Sequence, residues 1–90
     1  MPYRLRIPKS VQAEIGRLPG NVRQRVKRAI AGLAFEPRPE NATELEDELA
    51  GFWRLKLDDY RIIYTIADDL IVIEIVRVGK RTPKTYVGLN

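Results

Sequence analysis

The sequence predicts an α+β domain: an N-terminal strand, an antiparallel two-helix hairpin, then a three-stranded antiparallel meander, with the helices on one face of the sheet. Three observations carry this. Apolar residues recur at three- and four-residue spacing between Val11 and Leu33, the period of helices with one buried stripe. From Trp53 to Ile66 they alternate with polar and basic residues, the period of half-buried strands. A β-branched run then fills Leu70 to Arg77, as suits a central strand. Helices that precede a run of strands pack together on one side of an antiparallel sheet. Ninety residues leave room for a single domain, residues 1–90, with one modest core.

The elements follow in order. Tyr3, Leu5 and Ile7 alternate with Arg4 and Arg6, a half-buried strand that Pro8 ends. Lys9 to Leu18 places Val11, Ile15 and Leu18 on one helical face, and Pro19-Gly20 stops it. Asn21 is the expected N-cap of a second helix whose stripe is Val22, Val26, Ile30 and Leu33. Its other face is basic, with Arg23, Arg25, Lys27 and Arg28, and Pro37 and Pro39 close it. Glu40 to Ala50 is acidic and reads either as a loop or as one extra helical turn through Leu45 and Leu49. Trp53–Leu57 and Tyr60–Ile66 are strands joined by Asp58-Asp59, and Asp68-Asp69 turns the chain into the last strand. Gly79 marks the expected exit from it.

Composition removes whole classes of chemistry. The chain has no Cys and no His, so disulfides, thiolate zinc sites and imidazole acid–base pairs are excluded. No metal or other cofactor is expected. The longest apolar run is interrupted by Glu74 and falls short of the ~18 residues of a membrane span. The first ten residues lack the apolar stretch of a secretory signal. These features predict a cytoplasmic protein without a membrane partner. The net charge of +4 hides a sharper pattern: +7 over residues 1–38, −5 over 39–50 and +2 over 51–90. A pI near 9.7 favours a polyanionic partner without specifying it.

If Asp58-Asp59 is a two-residue loop, Lys56 faces Arg61 and Arg54 faces Ile63 across the strands. Trp53, Leu55, Leu57, Tyr60, Ile62 and Tyr64 then share the side covered by helices, and Arg54, Lys56 and Arg61 share the other. Opposed like charges are destabilising, and an anion such as a phosphodiester would relieve them. A solvated basic strand face remains the alternative, since long basic side chains splay readily into water and Asp58 or Glu74 can neutralise one of them. Farther on, Arg77, Lys80, Arg81 and Lys84 fall within eight residues that contain no acid, and Tyr86 follows. They form either a basic tail or a segment that returns Arg81 and Tyr86 to the cationic face.

The ordered set WRLKL, DYRIIY, a β-branched strand ending in RVGKR and a Tyr soon after resembles the RelE family of bacterial toxins in the RelE/ParE superfamily. The helical stretch LPGNVRQRVKRAI running to FEPRPE is similar to that family's as well, so the resemblance spans Tyr3 to Val87. It implies a RelE-like fold and a ribosome-dependent mRNA endonuclease that cuts mRNA in the ribosomal A site. It also implies a cognate antitoxin that wraps and neutralises the toxin. The family's catalytic positions fall on Arg54, Lys56, Arg61, Arg81 and Tyr86, and Arg77, Lys80 and Lys84 are expected to bind RNA. The first strand position is commonly Lys in the family, whereas here it is Arg54, which does not deprotonate.

These residues match the chemistry of metal-free RNA cleavage, which must deprotonate a 2′-OH, stabilise a phosphorane and protonate a 5′-oxygen. Lys56 is the one amine of the cluster, and arginine does not deprotonate. It is therefore assigned as general base. Arg54 and Arg61 would hold the phosphate oxygens. Arg81 would stabilise or protonate the leaving oxygen, and Tyr86 would orient the nucleotide. Two alternatives share the fold: a ParE-like DNA gyrase poison and an inactive RNA-binding module.

Overall fold

A computed structural model describes residues 2–81. Its elements are β1 (Arg4–Arg6), α1 (Lys9–Gly16), α2 (Gly20–Leu33), β2 (Ala42–Glu44), a 3-10 turn (Asp47–Leu49), β3 (Phe52–Leu57), β4 (Tyr60–Ala67) and β5 (Val72–Lys80). The expected α+β class holds, with the helical hairpin on one face. The sheet, however, has five strands in the order β1-β5-β4-β3-β2. It is mixed rather than purely antiparallel, because β1 lies parallel to β5 while every other pair is antiparallel.

Both helices begin behind a proline. Pro8 and Pro19 occupy the N-cap positions with extended ψ, and their fixed φ prepares the chain for the turn that follows. Asn21 is therefore not the cap but sits within the first turn of α2, and the Arg23 N–H bonds to the Pro19 carbonyl (2.8 Å). Val11 and Ile15 of α1, with Val26, Ile30 and Leu33 of α2, bury against Leu55, Ile62, Tyr64, Ile73, Ile75 and Val78 of the sheet. Each fully buried Ile or Leu contributes roughly 1.5–3 kcal/mol. Trp53 packs at the edge of this core, as its alternation predicts, beneath the Arg38 guanidinium at 5.4 Å.

The acidic stretch combines two structures. Ala42–Glu44 adds an edge strand to β3, and Asp47–Leu49 makes a 3-10 turn. The turn before β5 spans residues 68–71 rather than two residues, with Ile71 at φ 54°, so Leu70 and Ile71 are exposed instead of opening the strand. At its other end β5 runs through Gly79 to Lys80, because Tyr60 and Arg61 of β4 still pair with it there. Gly79 is thus a strand residue and not an exit.

Candidate functional site on the open face of the sheet

The β3–β4 hairpin closes in the expected register: Leu57 opposite Tyr60, Lys56 opposite Arg61, Arg54 opposite Ile63. Asp58 takes φ 56°, a left-handed conformation that Asp tolerates better than most residues, so the two-residue loop forms without glycine. Its carboxylate accepts a 2.6 Å hydrogen bond from Arg25 of α2. Glu74 pairs instead with Arg6 at 3.5 Å. Asp58 and Glu74 are each paired with another cation, and among the described residues no carboxylate forms an ion pair with Arg54, Lys56 or Arg61.

Arg61 is 7% exposed, an unusual burial for a cation without a counter-ion. Its Nη1 donates to the carbonyls of Asp58 (3.0 Å) and Tyr60 (3.1 Å), which fixes the guanidinium against the hairpin turn. Its Nε is buried with no partner, as is the Nε of Arg54. Nη1 is therefore anchored, while the buried Nε is left without a partner. Lys56 beside it is exposed. Gly79 lies across from Arg61 on β5, where an added Cβ would meet no atom within 4 Å. The strand leaves room beside the buried cation.

β5 adds a second feature. The register of β4 against β5 shifts between Ile63 and Tyr64, which pair with Arg77 and Ile75, so Val76 is an extra residue. Ile73, Ile75 and Val78 all face the core, a spacing of two and then three. The bulge thereby turns Arg77 to the open face, in a row with Ile63 and Arg54. Without it Arg77 would have the phase of Ile73 and Ile75. The N–H of Arg81 donates to the Asp59 carbonyl (2.8 Å), which holds its backbone beside the hairpin loop, and its side chain is exposed. Arg54, Lys56, Arg61, Arg77 and the Arg81 backbone are thus gathered around one end of the sheet.

Lys80 is not part of this group. It pairs with Tyr60, whose side chain shares the helix-covered side, so the alternation places Lys80 away from the cluster. Lys84 and Tyr86 lie outside the described residues. Sequence reasoning missed Arg4 and Arg6, which the β1–β5 pairing brings to the open face opposite Val72 and Glu74. Their alternation with Leu5 was the available signal. Among the described residues no three acidic side chains gather into a metal-sized cluster.

A separate polar cluster pins the chain after α2 to the far end of the sheet. Asp68 accepts hydrogen bonds from the Tyr3 hydroxyl (2.7 Å) and from both terminal nitrogens of Arg38 (2.8 and 3.4 Å). These bonds, led by Arg38, hold the Asp68 carboxyl below its ordinary range, and the bond to Asp68 raises the Tyr3 hydroxyl. Tyr64, buried beneath, donates to the Pro37 carbonyl (2.7 Å), and burial pushes it up to about 12.

A helical hairpin over one face of a small mixed sheet, with a group of cations on the other face, is the fold of toxins of type II toxin–antitoxin systems. The chain belongs to the ParE toxin family of the RelE/ParE superfamily: residues 5–83 match the model described as the ParE toxin of the type II toxin–antitoxin system parDE. Solved structures similar to it include the RelBE2 toxin–antitoxin complex of Mycobacterium tuberculosis, at 28% identity and TM-score 0.80, over 90% of this chain and 100% of that one. The archaeal RelE–RelB complex from Pyrococcus horikoshii OT3 is 30% identical at TM-score 0.79, over 92% and 99% of the two chains. A free E. coli RelE mutant is 27% identical at TM-score 0.77, over 96% and 92%. No curated protein sequence matches significantly.

Proposed function

We propose that this toxin is a ribosome-dependent mRNA endonuclease that acts in the cytoplasm, cuts mRNA in the ribosomal A site and thereby inhibits translation. The observation that supports it most is the Lys56–Arg61 pair: like charges directly opposed, one of them buried, with Asp58 paired to Arg25 and Glu74 to Arg6. Such an arrangement costs stability unless an anion occupies it. Lys56 accepts the 2′-OH proton, the 2′-oxygen attacks the phosphorus, and the P–O5′ bond breaks to leave a 2′,3′-cyclic phosphate. Arg54 and Arg61 hold the phosphorane oxygens. Arg81 stabilises the leaving 5′-oxygen, which takes its proton from water, and Tyr86 orients the nucleotide. No metal or cofactor is invoked.

The free protein lacks imidazole, so the ribosome supplies much of the orientation of the mRNA. The partner in the resting cell is a cognate antitoxin, as in the RelE–RelB complexes to which the chain is similar. An acidic, partly apolar segment that folds on binding complements the cationic face. The test uses purified toxin with programmed ribosomes and, in parallel, with gyrase and relaxed plasmid. Cleavage of A-site mRNA, far faster than of naked mRNA, is the expected result. Intact mRNA with inhibited supercoiling would overturn it in favour of a gyrase poison. RNA binding without either activity would leave an inactive binding module.

A further inference from the structure

The open face carries more positive charge than phosphate chemistry at Lys56 and Arg61 requires. The strand registers place Arg4 and Arg6 of β1, Arg54 and Lys56 of β3, Arg61 of β4 and Arg77 of β5 on it, against the single carboxylate of Glu74. These cations are not scattered. From Arg61 the next lies one strand over and two residues back, at Arg77. From Arg77 the same step, counted past the bulge, reaches Arg6, and Arg4 is two residues beyond it on β1. With strands ~4.8 Å apart and ~3.3 Å per residue, the diagonal from Arg61 to Arg6 is roughly 17 Å long.

We propose that this diagonal is a track for single-stranded RNA, in which Arg6 and Arg4 hold phosphates of the strand flanking the bond cut at Lys56. The inference rests on the nuclease reading for the position of the scissile phosphate, but the track itself is defined by the registers. The bulge at Val76 brings Arg77 onto the line, and the parallel addition of β1 brings Arg4 and Arg6. Arg4 and Arg6 are exposed. The Arg6–Glu74 pair is long, at 3.5 Å, with both side chains in water, so it holds the Arg6 stem over β5 without cancelling its charge toward a polyanion. Side-chain guanidiniums at regular steps along a sheet face suit a flexible phosphodiester chain and carry no base-specific contact, so the track adds affinity across sequences.

The test measures binding of fully 2′-O-methylated, uncleavable oligoribonucleotides by fluorescence anisotropy over a range of salt. A dinucleotide reaches only the Lys56 end, whereas an oligonucleotide of about eight residues spans the track. For wild type the longer one should bind more tightly, and Arg4→Gln/Arg6→Gln should weaken it severalfold while leaving the dinucleotide unchanged. Two lost phosphate contacts should lower the slope of log affinity against log salt by about 1.4. Arg4→Lys/Arg6→Lys, which keeps the charge, should restore the slope, and thermal melting reports folding of both variants. Lys27→Gln/Arg28→Gln on exposed positions of α2 removes the same charge off the track and should keep the wild-type slope. An unchanged slope in the Gln pair, an equal loss in the α2 control, or no length dependence in wild type overturns the track. The ribosome assay separates the two ideas. Track-dependent binding without cleavage overturns the nuclease and leaves the track standing, and cleavage with length-independent binding does the reverse.

Discussion

One sheet presents two faces built on opposite terms. On the helix-covered side Leu55, Ile62, Tyr64, Ile73, Ile75 and Val78 interlock with both helices, and the face is held by burial of apolar area. On the open side the same strands carry Arg54, Lys56, Arg61 and Arg77, with Ile63 buried among them in the Arg54–Arg77 row. Burial on the first side is cooperative and indifferent to charge. On the second, each added cation raises the energy of the next, while Asp58 pairs with Arg25 of α2 and Glu74 offsets only Arg6. Such a face suits an anion. The difference between the faces predicts that substitutions on one side break stability and on the other break activity.

The largest expected effect tests the open face. Lys56→Ala and Lys56→Arg should each reduce the single-turnover rate on ribosome-bound mRNA by a factor on the order of 10²–10⁴ if Lys56 is the base. Lys56→Arg keeps the charge, so an active Lys56→Arg enzyme would reassign Lys56 to electrostatic stabilisation. Arg54→Lys should remain active in either case. Lys56 is exposed, so both variants should unfold within about 0.5 kcal/mol of wild type.

The covered face should respond in the opposite sense. Ile75→Ala removes a fully buried side chain from the middle of β5 and should cost about 2–5 kcal/mol in urea unfolding. Cleavage per folded molecule should be nearly unchanged. A large loss of turnover at full folding would mean that the two faces are coupled through β5 and are not independent.

The boundary between the faces explains which parts of the molecule were legible in the sequence. The β3–β4 hairpin is local: strict alternation in WRLKL and YRIIY fixes the faces, and a two-residue loop fixes the register, so Lys56 and Arg61 could be paired by inspection. The β5 run has apolar residues in both phases, Val72, Ile73, Ile75, Val76 and Val78, so the pattern does not show where the phase changes. Only packing against Ile62 and Tyr64 selects Ile75 and Val78 and expels Val76 as the bulge. The partner of β1 is hidden for another reason. Arg4 and Val72 are far apart in the chain, and a period of two says that a strand has faces without saying which strand it joins. Ala42–Glu44 is too short to alternate at all.

The bulge makes that boundary testable. Deleting Val76 places Ile75 and Arg77 in succession opposite Tyr64 and Ile63, a regular ladder with every side chain on its present face. The deletion variant should fold cooperatively, with a loss of about 1–2 kcal/mol from the altered strand twist. Deleting Ile75 also removes the bulge but puts Val76 opposite Tyr64 in its place, so it should cost only the Ile-to-Val difference, about 0.5–1.5 kcal/mol, more. A loss several kcal/mol larger on deleting Ile75 would show that Val76 does not take the core position and that the phase of the apolar residues does not hold β5 in place.

The smallest effect concerns the polar cluster at the edge of the covered face and is read through pH. Folding lowers the Asp68 carboxyl from its ordinary 3.8, chiefly through Arg38 and then Tyr3. A carboxyl lowered by folding stabilises the native state above its unfolded value, and that contribution disappears as pH falls through the folded value. Tyr3 has the opposite sign: folding raises it above 10.0, so its share is present below that value and lost as pH rises through the folded one. The urea midpoint of wild type should therefore exceed that of Asp68→Asn by a constant margin from neutrality down to about pH 5, and the margin should close below about pH 4. Added salt should shrink it, since these groups are exposed. Tyr3→Phe should leave the Arg38–Asp68 pair in place and retain most of the acid-side response. A margin that persists unchanged into strong acid would mean that Asp68 acts through packing of the turn at residues 68–71 and not through its charge.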